Sequence, residues 1–326
     1  RLTGACDRCR GLVRRRDNVG QWRIRMVVIP GHDRVQEAGS GRVPGAVLSE
    51  VGAQDAAASS PGETLGDREA PQRAGSCASL AELAALIPTC GACPRLRRYC
   101  VDVAANKVKR YAGWDYHGRP VPGFGDPSAR LLIVGLAPAA HGANRTGRLF
   151  TGDRSGDFLF AGLHRVGLAS QAESAGRSDG LVLNGVYISV AGRCAPPANR
   201  PSPAELDRCL AFLRRELQLL PEVRVVIALG GLAHAAVGAV LAGERRPFSH
   251  AAEHPLPDGR VLLDCYHVSQ QNTFTGRLTP AMLDVVLREL RGFRGYRASQ
   301  AGRLPAVGRD SAVDNFDLAT GALGSL

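Results

Sequence analysis

The sequence predicts an α/β protein, a three-layer αβα sandwich with a mostly parallel central sheet, and two observations carry that prediction. The first is alternation. Short apolar runs at 130–134, 186–190, 223–229 and 261–266 read as buried strands, and the segments 156–166, 203–220, 232–241 and 280–293 read as helices. Strands alternating with helices build a parallel sheet covered on both faces. The second is punctuation. Two of these strands run directly into polar, glycine-containing loops, at 135–153 and 267–279. Open α/β sheets bind ligands at the carboxyl ends of their strands, so these loops form the candidate site.

The elements follow in chain order. Residues 1–75 are rich in Arg, Gly, Ala, Ser and Pro, begin without a methionine and show no sustained period beyond a short run at 22–29. They read as a disordered extension, or as translated upstream sequence rather than a functional arm. A domain of ordinary size is expected over 77–296, with an irregular tail at 297–326. It opens on a short amphipathic helix at 80–87. Asp153 is positioned to cap the helix that follows the first loop. Ser202, with Glu205 three residues on, marks a capping-box start for the helix at 203–220. No run is long and apolar enough to cross a membrane.

The chain has nine cysteines. Without a recognisable secretory signal they point to metal or redox chemistry rather than to a disulfide scaffold. Cys90 and Cys93 form a CxxC followed by Pro94, while Cys194 and Cys209 are separated by fourteen residues. Four thiolates suit a structural zinc ion or an iron-sulfur cluster. Cys100 is a candidate substitute ligand. Cys265 lies in an apolar run and reads as a core residue. The CxxC of Cys6 and Cys9 has no supporting context.

Three separated segments resemble one family. GLAPAAHGANRTGRLFTGD (residues 135–153) is similar to the first motif of the type-5, iron-sulfur branch of the uracil-DNA glycosylase superfamily. HVSQQNTFTGRLT (residues 267–279) resembles its second catalytic motif, with Val268 where proline is common. The cysteine spacing around Cys194-Ala195-Pro196-Pro197 resembles the branch's cluster ligands. The resemblance implies a monomeric, cytoplasmic, nucleoid-associated base-excision repair enzyme. It hydrolyses the N-glycosidic bond of uracil, and of other deaminated bases such as hypoxanthine, in double-stranded DNA and leaves an abasic site. It also implies a structural 4Fe-4S cluster on Cys90, Cys93, Cys194 and Cys209.

The resemblance assigns roles as well. His267 donates a hydrogen bond to the uracil carbonyl as charge develops on the departing base. Phe150 stacks on the flipped base. Ser269 and Gln271 suit phosphate and base-edge contacts, and Ala137 lines the pocket. Other branches carry Asp, Asn or Glu where this chain has Leu136 and Ala137, so the missing polar function falls to Asn144 and Asn199.

Charge agrees with a polyanionic partner. The chain is formally +11 with a pI near 9.7. Arg95, Arg97, Arg98, Lys107, Lys109 and Arg110 cluster around Tyr99 and Tyr111 and read as a phosphate-contact region. Two readings from other classes compete: a catalytically inactive iron-sulfur scaffold or damage sensor, and a nucleotide-binding α/β protein with structural zinc.

Overall fold

A computed structural model describes residues 12–16, 22–26, 66–243 and 246–289. The chain divides into two units, residues 1–59 and 60–326. In the first, β1 (Leu12–Arg16) and β2 (Trp22–Met26) pair antiparallel, Leu12 opposite Met26 and Arg16 opposite Trp22. The expectation of a structureless extension is corrected at these residues. The segment WRIRM alternates apolar and basic residues with the period of a strand. The rest of 1–65, Cys6 and Cys9 included, and the tail at 297–326 lie outside the described residues.

The second unit opens with α1 (Ala70–Arg73), so the domain starts before the expected residue 77. Gly91 N donates to Asp67 O and Asp67 N to Thr89 O, each at 2.7 Å, which stitches this segment to the first cysteine loop. Then come α2 (Leu80–Leu86), α3 (Pro94–Ala105), β3 (Phe124–Gly125), β4 (Leu131–Gly135), α4 (Ala143–Thr146), α5 (Arg154–Arg165) and β5 (Val186–Val190). The second half comprises α6 (Pro203–Leu219), β6 (Val225–Leu229), α7 (Gly231–Leu241), β7 (Glu253–Pro255), β8 (Val261–Cys265), α8 (Gln270–Phe274) and α9 (Pro280–Glu289).

The six-stranded sheet runs β3-β5-β4-β6-β8-β7. Its inner strands are parallel, and β3 and β7 cap the edges antiparallel. Alternate strand residues face opposite layers. Leu131, Ile133, Ile188, Ile227 and Leu263 pack with Leu159, Phe160 and Leu163 of α5 and Leu283, Val286 and Leu287 of α9. Leu132, Val134, Val226 and Leu262 face Leu213 and Leu217 of α6 and Ala233 and Val237 of α7. This is the expected αβα sandwich. The strand order reverses about β4, which opens a crevice at the carboxyl edge.

A buried ion pair joins the sheet to α6. Glu216 Oε2 accepts from Arg193 Nη2 and from Ser189 Oγ, each at 2.5 Å, and both charged side chains are 1% exposed. Removing one partner of such a pair strands the other charge in the core. Arg193→Met is expected to cost about 3–5 kcal/mol in urea unfolding. The double change Arg193→Met, Glu216→Leu should recover most of that loss.

Candidate functional site

A cleft of about 460 Å³ opens at the carboxyl edge of the sheet. Leu136, Ala137, Pro138 and Ala139 after β4 form one side, Val190, Pro196 and Asn199 at and after β5 a second, and His267, Ser269, Gln270 and Gln271 after β8 a third. Leu149, Phe150, Asp153, Arg154 and Ser155 complete the lining.

Phe150 has a φ of 52°, a left-handed conformation that non-glycine residues adopt at a cost. That backbone directs the ring against Gly135. A Cβ at Gly135 would lie 2.6 Å from Phe150 Cζ, so the end of β4 lacks a side chain where the ring rests. Asp153 Oδ1 accepts from Gly156 N at 3.0 Å and caps α5, as expected. Its carboxylate also packs against Gly142 with no space left for a Cβ. Burial raises its pKa above the ordinary carboxylate range, although the bonds from Gly156 and Ser155 act in the other direction.

His267 follows β8. Asn272 Nδ2 donates to its carbonyl at 2.8 Å, and Ser269 caps α8 by accepting from Asn272 N at 3.4 Å. Burial pushes the imidazole below its usual pKa, so the ring is neutral at neutral pH. Val268, in place of the common proline, is fully buried in the core. Asn199 sits beside Ala198 in a left-handed pair, φ 56° and 51°, that turns the exposed Asn199 back to the cleft.

The structure thus brings His267, Phe150, Asn199, Ala137, Ser269 and Gln271 together around one cleft. It does not bring Asn144 there, which corrects that expectation. Asn144 is fully buried on α4, and its Nδ2 donates to Cys100 O at 3.3 Å. One turn of helix carries the side chain away from the cleft and toward α3. The cleft residue whose position sequence reasoning missed is Asp153. Its helix-capping signal masked its second exposure to the cleft.

Cys90, Cys93, Cys194 and Cys209 are all buried, at 6–7% exposure, where α3, the loop after β5 and α6 meet. Burial raises the Cys90 thiol, and it pushes Cys209 up to about 12, with Cys93 and Cys90 adding to the rise. Cys194 is raised by its hydrogen bond to Cys100 and by burial. Cys100 also donates to Ala195 O at 3.7 Å. Cys265 is a core residue, as expected.

The basic cluster needs a second correction. Arg95 donates to both oxygens of Glu205, at 2.9 and 2.7 Å, and Arg97 is buried with Nη1 donating to Gly118 O at 3.1 Å. These two join elements of the fold. Among the described residues, no helix is long and apolar enough to cross a membrane.

Comparison with known proteins agrees with this geometry. The family model for the uracil DNA glycosylase superfamily matches residues 122–291. The chain is 51% identical over 226 residues to a type-5 uracil-DNA glycosylase of Mycobacterium bovis, covering 68% of this chain and 84% of that protein. It is 52% identical over 211 residues to one of Thermus thermophilus, covering 64% and 95% respectively. A third, from Pyrobaculum aerophilum, is 46% identical over 199 residues, covering 61% and 86%. The sandwich, the cleft at its switch point and these matches establish that the chain belongs to the type-5 branch of the uracil-DNA glycosylase superfamily.

Proposed function

We propose that the cleft takes a uracil extruded from double-stranded DNA and hydrolyses its N-glycosidic bond, leaving an abasic site. The observation that carries this reading is the convergence of a neutral imidazole, a half-buried carboxylate and an aromatic face in one cleft. The base stacks on Phe150. The bond from C1′ to the base breaks with its electron pair leaving on the base, and His267 donates to the carbonyl where negative charge gathers. Asp153 faces the positive charge that develops on the sugar. It takes a proton from the water whose oxygen bonds to C1′. Asn199 orients that water.

Leu136 and Ala137 offer no side-chain hydrogen bond, so this wall selects by shape alone. A wall of that kind leaves no side-chain polar group unpaired when a different base enters, so it penalises a change of base weakly. The proposed range therefore extends to other deaminated bases, hypoxanthine among them.

We further propose a 4Fe-4S cluster on Cys90, Cys93, Cys194 and Cys209. The donor set is chemically suited, being four buried thiols from the loop before α3, the loop after β5 and α6. Four thiolates also suit a single zinc ion, and the metal content of the purified protein separates the two. A cluster bound here supplies a cross-link between α3, the loop after β5 and α6, and the chemistry at the cleft proceeds on protein side chains alone.

A labelled duplex with one uracil opposite guanine, treated with alkali after incubation, should break at the uracil alone. Retained DNA binding with an intact strand would favour the inactive scaffold. His267→Ala should lower the single-turnover rate about a hundredfold to a thousandfold. Asp153→Asn keeps a helix cap and removes the charge. The rate of the unmodified protein should rise with pH through the raised pKa of Asp153, because the carboxylate is the active form. That limb should be missing from Asp153→Asn, and an unchanged profile would remove Asp153 from the mechanism. Asn144→Ala should instead cost about 1–3 kcal/mol of stability through the lost buried bond, with the saturated rate nearly unchanged. Anaerobically purified protein should be brown, with iron lost on Cys90→Ala, Cys93→Ala, Cys194→Ala or Cys209→Ala and retained in Cys265→Ala. Colourless protein with stoichiometric zinc would overturn the cluster assignment.

A further inference from the structure

Residues 107–116 form a strap fastened to the loop that walls the cleft. The Arg145 guanidinium is 3.9 Å from the ring centre of Tyr111 and 4.1 Å from that of Trp114. Its Nε donates to His141 O at 2.8 Å and its Nη2 to Gly152 O at 2.9 Å, beside Asp153. The chain leaving the strap is bonded to α4 as well, His117 N to Arg145 O at 2.9 Å and Gly118 N to Asn144 O at 3.0 Å. One buried arginine thereby fixes the strap, the start of the loop and its end. Stacking between aromatic faces and a guanidinium is directional, so the strap has a defined attitude.

This rigid strap presents cations. Lys107, Lys109 and Arg110 are exposed, and no ion pair among the described residues engages them. Arg110 extends the stack, 5.0 Å over Tyr111, and its charge is felt at Asp157 on α5, one turn from the cleft residue Arg154. Arg95 and Arg97, by contrast, are bonded within the fold. Unpaired cations on a fixed surface suit a partner with regularly spaced negative charge, and phosphate contacts position a duplex without reading its sequence.

We propose that the strap is a second DNA-contact surface, in which Lys109 and Arg110 contact backbone phosphates flanking the extruded nucleotide while Tyr111 and Trp114 hold them in register through Arg145. The proposal rests on DNA being the substrate. It differs from the cleft chemistry in touching only the backbone.

The test measures affinity as a function of salt for an undamaged duplex and for one with a non-cleavable abasic-site analogue. Lys109→Ala with Arg110→Ala should weaken both complexes by about tenfold and lower the slope of log K against log salt by about 1 per residue. The uracil-excision rate at saturating protein should not change. Trp114→Ala, which leaves both cations in place but releases the strap, should weaken binding, and Trp114→Phe should restore it. An unchanged salt slope in the double variant would overturn the proposal, as would a loss confined to the saturated rate. An unmodified protein that binds duplex but fails to excise uracil would overturn the proposed chemistry and leave the strap standing.

Discussion

Arg145 is the interaction on which the cleft depends. A loop that lines a pocket lacks the ladder bonds of a strand and the repeating bonds of a helix, so side chains must fix its backbone. Arg145 does this for residues 141–152 by donating to two carbonyls while its guanidinium packs against two aromatic rings. Arg148 repeats the device lower in the loop, bonding Thr151, Ser174 and Asp179. The strained backbone of Phe150 is tolerated because it is bracketed by these anchors and by Asp153 at the head of α5. A geometry that costs energy locally persists only when its surroundings over-determine it.

The cysteine centre connects to this loop through one polar side chain. Asn144 reaches from α4 to the carbonyl of Cys100 on α3, whose thiol is hydrogen-bonded to Cys194. The loop and the thiol centre therefore share a joint. That joint links the packing of the four thiols mechanically to the cleft loop. Fixing α3 against α6 fixes α4, and α4 begins the segment that ends in Phe150 and Asp153.

The sheet and its helices were legible because their apolar periods are long and their caps are explicit. Ser202 and Glu205 form the expected capping box. β3 and β7 were not legible, being two and three residues long and held in place by their neighbours rather than by a period of their own. α3 was also missed. Pro94 at its first position is a start signal, but the arginines that follow resemble a solvated charge run rather than a helix face. Local patterns reported which residues are polar and not which way they point. Asn144 and Asn199 look equivalent in sequence, yet α4 turns one inward and a left-handed pair turns the other to the cleft. The basic cluster divides for the same reason, because Glu205 and the Gly118 carbonyl lie far along the chain from the arginines they satisfy.

The absence of an acid at Leu136 and Ala137 acquires a physical meaning beside Asp153. A carboxylate at the end of β4 would enter the crevice at the floor on which Phe150 rests, beside the close contact between Gly135 and the ring. Asp153 brings its charge from the head of α5, against Gly142, and is oriented by the amides of that helix. The same amides that orient the carboxylate also lower its basicity, and burial raises it again. Basicity at this position is thus a balance between a helix N-terminus and desolvation. That balance ties the reactivity of the carboxylate to the integrity of α5, and through Arg145 to the strap behind the loop.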